Sequence, residues 1–177
     1  MILVLVVLEK NTKNAVVVTS KWMSVHLSIL IWVCIFSSAI CTVLSFPSFN
    51  LSFLVWISLT PLFYLVRRGK FPPVKNFLYG FICGTFVYMG MLYWIATAVR
   101  VSGESMALGL FCLFLLSSYL GLYYGLFTLL YGLNPKGDAL SVFDYAGIWV
   151  LFEMLRTYLL SGFPWGVLGY TQWPYLS

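Results

Sequence analysis

The sequence predicts an all-α polytopic membrane helix bundle of about five transmembrane helices, with the N-terminus inside and the C-terminus outside. Three observations point there. The 177 residues are 62% hydrophobic and 8% charged, with a mean hydropathy of +0.95, whereas a soluble domain carries about 25% charged residues. Ten Lys and Arg and five Asp and Glu are too few to coat a folded soluble domain, and too apolar a background for a disordered one. The charges are also confined, leaving long uncharged runs at 22–66, 76–99 and 105–135, and none after Arg156.

The first run is about twice the length of one crossing, which takes about 20 residues. Its break falls at Phe46-Pro47-Ser48-Phe49-Asn50, where proline stops a helix and polar residues turn the chain. This divides it into helices at about 25–45 and 51–66. The next two runs predict helices at about 76–99 and 105–133, the latter long enough to require tilt. A fifth helix is expected at about 139–161, carrying Asp144, Glu153 and Arg156. Residues 162–177 follow as an outer-face loop.

Orientation comes from Arg67, Arg68, Lys70 and Lys75 around Phe71-Pro72-Pro73, the densest basic cluster in the chain. Cytoplasmic loops collect Lys and Arg. The same rule agrees with Lys10, Lys13 and Lys21 ahead of the first helix and puts the Asn134-Pro135-Lys136-Gly137-Asp138 turn inside. The net charge of +5 therefore reflects topology rather than nucleic acid, for which the basic residues are too sparse. Residues 1–24 fit less well. Met1 to Leu8 is apolar but too short to span, so the segment is either peripheral or a mis-assigned start ahead of Met23. A cleaved signal peptide is disfavoured, because no Ala-x-Ala-like site follows the first helix.

Small residues recur every fourth position: Gly80 and Gly84 in one helix, and Ser117, Gly121 and Gly125 in another. Such spacing lets helices approach closely in lipid. Tyr93 and Trp94 fit an interfacial aromatic belt, with substrate lining as the alternative. Cys34, Cys41, Cys83 and Cys112 lie in apolar stretches and read as small buried residues. Walker, His-Glu-x-x-His and Gly-x-Gly-x-x-Gly patterns are absent from the sequence, so no cofactor or metal is expected. His26 stands alone and is not expected to be catalytic.

Glu153 and Arg156 are three residues apart on one helical face, in the outer half of the fifth helix. A charge within a membrane helix is costly and marks a functional candidate. Three roles fit: an Arg fork on a lipid phosphate, a structural ion pair, or an Arg snorkelling to the interface. Beyond them lies Ser161-Gly162-Phe163-Pro164-Trp165-Gly166-Val167-Leu168-Gly169-Tyr170-Thr171-Gln172, which composition describes only as an ordered loop at the membrane surface.

Taken together, Glu153-Met154-Leu155-Arg156, Gly162-Phe163-Pro164-Trp165 and Gly169-Tyr170-Thr171-Gln172 resemble the Glu-x-x-Arg, Gly-Phe-Pro-Trp and Gly-Tyr-Ser-Gln signature of the apolipoprotein N-acyltransferase family. Thr171 replaces the usual Ser. Gly80-Phe81 with Gly84, Tyr93-Trp94-Ile95, Leu44-Ser45-Phe46-Pro47 and Arg67-Arg68 are similar to earlier parts of that family, so that the resemblance covers about residues 25–177.

The resemblance implies a multi-pass enzyme of the bacterial inner membrane. It moves an acyl chain from a phospholipid to the N-terminal amine of a diacylglyceryl-cysteine apolipoprotein, through a cysteine thioester. It also implies a substrate-binding region for lipid or lipoprotein at Glu153, Arg156, Phe163, Pro164, Trp165 and Tyr170. The family's Glu-Lys-Cys triad sits in a nitrilase-like domain after a sixth helix, and no residue before Ser177 matches it. The chain alone is therefore expected to be inactive, with a separately encoded nitrilase-like half as a conceivable partner. The alternative is a non-enzymatic membrane protein: a scaffold, or a small transporter or channel subunit.

Overall fold

A computed structural model describes residues 26–47, 49–133, 139–159 and 162–175. The expectations for residues 1–24 and for the 134–138 turn lie outside these. The chain divides into two units, Met1–Val33 and Cys34–Ser177. Of the first, the opening turns of helix α1 (His26–Ser45) are described, with Leu27, Ile29 and Val33 exposed.

Every described element is helical, and no strand occurs among the described residues. After α1 come a 3₁₀ turn at Ser52–Leu54, α2 at Val55–Ser58 and α3 at Thr60–Gly69. Then follow α4 at Pro73–Met91, α5 at Trp94–Val101, α6 at Met106–Leu133 and α7 at Ala139–Tyr158. A second 3₁₀ segment, Leu168–Tyr175, closes the described chain.

The burial pattern belongs to a membrane bundle. Trp56, Ile57, Phe111, Phe114, Leu115 and Val150 are exposed, while Ser38, Thr42, Ser117 and Thr128 are wholly buried. Water would drive the opposite arrangement; lipid tolerates apolar groups outside and favours small residues where helices meet. Among the described residues two helices, α1 and α6, are long and apolar enough to cross a membrane. The α4–α5 pair makes a third if its bent halves form one span.

Two expected helices are broken. The one at 51–66 is interrupted at Leu59 and runs on to Gly69. Its cause is Pro61, which supplies no N–H and crowds the carbonyl four residues back. The break frees backbone donors that lipid cannot satisfy. Ser38 on α1 compensates for one, its Oγ accepting the Leu62 N–H at 3.0 Å. The helix expected at 76–99 begins at Pro73, where a first-turn proline sacrifices no bond. It bends by 51° between α4 and α5. The bend follows Gly90, in the last turn of α4. It accompanies close docking of α5 on α6: a Cβ added at Gly109 would lie 2.7 Å from the Ala96 carbonyl oxygen.

α4 and α6 form the centre of the second unit, and the small-residue spacing explains why. A Cβ at Gly84 would lie 2.7 Å from Tyr124 Cβ and 3.0 Å from Gly121 Cα, and one at Gly125 would lie 3.0 Å from the Phe77 carbonyl oxygen. Thr128 completes the seam, its hydroxyl donating to the Asn76 carbonyl at 2.8 Å. α7 packs on α6 largely through aromatic rings. Trp149 stands 5.0 Å from both Tyr124 and Phe127, and Tyr145 is 4.7 Å from Tyr131.

Candidate functional site

α7 ends where its last turn meets the Gly-Phe-Pro-Trp segment, and the two charged residues of that turn do separate work. Arg156 is 2% exposed. Its Nη1 donates to the Tyr88 hydroxyl on α4, and the guanidinium carbon lies 5.4 Å from the centre of the Tyr88 ring. Nε and Nη2 are buried without a hydrogen-bond partner among the described residues. A cavity of about 20 Å³ adjoins them, lined by Tyr123, Tyr124, Trp149, Phe152 and Glu153. That is room for about one water molecule.

Glu153 faces the other way in its bonding. Its Oε1 accepts the Leu168 N–H at 2.9 Å, at the start of the terminal 3₁₀ segment. A carboxylate at a helix N-terminus meets free N–H groups and the positive end of the dipole. Among the described residues Glu153 and Arg156 therefore bond to different elements rather than to each other. Burial also removes Arg156 from the interface to which a snorkelling side chain would reach.

The loop between them folds back on α7. Gly162 has φ +79° and Gly166 φ +75°, conformations that favour glycine. Phe163 N–H donates to the Arg156 carbonyl at 3.0 Å. Beyond the loop, Thr171 is 1% exposed and its hydroxyl donates to the Leu168 carbonyl at 2.8 Å. The Gln172 amide donates to the Ser52 carbonyl at 3.1 Å, tying this segment to the turn that follows α1. The Thr for Ser departure thus preserves the hydroxyl that is used here.

Trp165 is 55% exposed. Its ring centre lies 5.7 Å from Trp94 and 5.7 Å from Phe163. Trp94 and Trp165 wall an apolar cavity of about 190 Å³, with Phe46, Pro47, Phe49 and Met91 among its other walls. Of the six residues singled out from sequence, Trp165 lines this cavity and Phe163 packs against Trp165. Glu153 and Arg156 line the smaller cavity beside Tyr88, and Pro164 and Tyr170 are exposed. Sequence reasoning did not single out Tyr88 or Ser52. Tyr88 sits one turn past Gly84 on the same α4 face, and that spacing alone could have flagged it.

The cysteines sit apart from this surface. Cys83 is wholly buried, its thiol directed at the Ile35 carbonyl at 3.6 Å. Among the described residues no group of three or more His, Cys, Asp or Glu comes together.

The sequence profile of the apolipoprotein N-acyltransferase N-terminal domain matches residues 38–177. An apolipoprotein N-acyltransferase of Geobacter metallireducens is 36% identical over 137 residues, covering 77% of this chain and 26% of the relative. That of Haemophilus influenzae is 31% identical over 163 residues, covering 90% and 29%. One from Chromobacterium violaceum is 30% identical over 133 residues, covering 74% and 25%. The chain thus spans between a quarter and three tenths of the length of these relatives. By its profile and its relatives, the chain belongs to the apolipoprotein N-acyltransferase family, matching the N-terminal membrane part.

Proposed function

We propose that this chain is the lipid-presenting membrane part of an apolipoprotein N-acyltransferase. It sits in the bacterial inner membrane with five spans, N-terminus inside. At the outer face it offers a phospholipid acyl donor, and then the apolipoprotein, to a nitrilase-like domain that holds the Glu-Lys-Cys triad. The observation that carries this reading is the Trp94–Trp165 cavity, an apolar hollow of about 190 Å³ to which the Gly-Phe-Pro-Trp segment contributes Trp165. Indole rings suit a site where an acyl chain meets a polar headgroup.

Within the region, Trp165 and Phe163 contact lipid, and Pro164 and Tyr170 present the exposed rim. Glu153 and Arg156 are positioning residues that fix the loop to α7 and α7 to α4. The nucleophile is supplied from outside residues 1–177. The four cysteines lie within helices, and among the described residues no Lys or Glu is bonded to any of them.

The test joins this chain to the nitrilase-like half of the Geobacter metallireducens relative and follows acyl-enzyme formation with a radiolabelled phospholipid. Trp165→Ala is expected to slow it at least tenfold while leaving membrane abundance unchanged. An unchanged rate would overturn the role of the cavity. Alone, the chain is expected not to restore growth of a bacterium depleted of its own acyltransferase; rescue would show that the nucleophile lies within it.

A further inference from the structure

α3 and α7 both pack against α6. Between them runs a groove of about 430 Å³, with Leu168 of the terminal 3₁₀ segment also in its lining. Its walls are helical stripes: Leu59, just ahead of α3, then Phe63 and Arg67 on α3 recur every fourth residue, facing Tyr145, Trp149 and Val150 of α7. At 1.5 Å per residue the α3 stripe covers about 12 Å. The groove is apolar along this length and ends in a cation. Arg67 belongs to the basic cluster with Arg68, Lys70 and Lys75, all four exposed. Arg68 is directed elsewhere, 5.7 Å from the centre of the Tyr64 ring. Asp144 lines a different hollow, with Leu130, Phe143 and Leu151.

We propose that this groove binds one acyl chain of an anionic phospholipid, its phosphate held by Arg67 in the leaflet at that end of the bundle. Charge selects this occupant. A planar guanidinium at the membrane surface matches phosphate oxygens. With the basic cluster on the cytoplasmic side, this lipid lies in the leaflet opposite the Trp94–Trp165 cavity. It is a resident lipid rather than the acyl donor.

Native mass spectrometry of the full chain, released from detergent containing dioleoyl phosphatidylglycerol or dioleoyl phosphatidylethanolamine, tests this. One phosphatidylglycerol is expected to be retained preferentially. Arg67→Gln should weaken retention roughly fivefold, whereas Arg68→Gln should leave it within twofold. Ala146→Trp, which fills the groove without touching the charge, should also abolish retention; thermal unfolding of each variant confirms that it is folded. Equal losses in Arg67→Gln and Arg68→Gln would overturn the proposal in favour of diffuse attraction to the basic cluster. So would retention that survives Ala146→Trp, displacement by millimolar inorganic phosphate, or equal retention of the two lipids.

Discussion

Arg156 on α7 is held by Tyr88 on α4, sixty-eight residues away in sequence, through its hydroxyl and across the face of its ring. Tyr88 in turn packs edge-on against Tyr124, 6.0 Å between ring centres. The contact joins the helix that carries the family signature to the glycine seam at the centre of the bundle. Because α7 otherwise rests on α6 chiefly by aromatic rings, this bond fixes its rotation and so the direction in which Glu153 points. Tyr88→Phe is expected to cost about 1–3 kcal/mol, the range for orphaning a buried charged donor. The double variant Tyr88→Phe/Arg156→Met leaves no orphan and should be no less stable than Tyr88→Phe alone. Denaturant unfolding in detergent micelles measures both; a double variant that loses the sum of the two single losses would show that the residues act independently.

Glu153 gives a second test of positioning. Its carboxylate receives the Leu168 N–H at 2.9 Å. Glu153→Ala should release the terminal 3₁₀ segment while leaving α4 and α6 unchanged. Hydrogen exchange of residues 168–173 should quicken by one to two orders of magnitude, matching about 1.5–3 kcal/mol for a charge-assisted bond. Faster exchange spread equally over α6 would instead mean that Glu153 supports the whole bundle.

What was legible in the sequence followed from solvent and spacing. Charge-free runs located α1 and α6 to within a residue or two, because a charge in lipid is costly wherever it falls. The fourfold spacing of Gly80, Gly84, Gly121 and Gly125 marked faces for close packing, since close approach needs small residues, and the fold pairs these faces with each other. Pro61 is equally visible in the sequence, and it breaks the helix expected at 51–66. The α4–α5 bend follows Gly90, a signal present in the sequence, whereas the docking of α5 on α6 at Gly109 and Ala96 is a contact between separate helices. The candidate site divides in the same way. The spacing of Glu153 and Arg156 left a phosphate site, an ion pair and a snorkelling Arg open alike, whereas the fold gives each residue its own partner. Only packing could disclose that Trp94 and Trp165, seventy-one positions apart, share a wall.

The glycine seam should be intolerant of the smallest addition. Gly84→Ala places a methyl 2.7 Å from Tyr124 Cβ and 3.0 Å from the Gly121 backbone, so α4 and α6 must separate. Overpacking of this kind costs about 1–3 kcal/mol. Gly147→Ala on α7, where nothing lies within 4 Å of an added Cβ, should be neutral or slightly stabilising through helix propensity. Thermal unfolding of the pair of variants separates packing from propensity; equal shifts would mean that the seam can relax.

Ser38 offers the last and most local test, because it satisfies a donor exposed by another residue's effect. Pro61 interrupts the chain before α3, and the Leu62 N–H then falls among the first-turn donors that have no partner within their own helix. In water such a donor would be hydrated, but Ser38 is 0% exposed and Leu62 only 1%, so the Ser38 Oγ at 3.0 Å is its acceptor. Ser38→Ala should cost about 0.6–2 kcal/mol, the range measured for side-chain hydrogen bonds between membrane helices. Ser38→Thr, which retains the oxygen, should recover part of it. The diagnostic comparison is with Pro61→Ala, which allows α2 and α3 to close their own hydrogen bonds across Leu59. In that background Ser38→Ala should lose most of its effect, giving a coupling energy in a double-mutant cycle of at least about 0.5 kcal/mol. If Ser38→Ala costs the same with and without Pro61, the hydroxyl stabilises the bundle by packing, and the broken helix is satisfied in some other way.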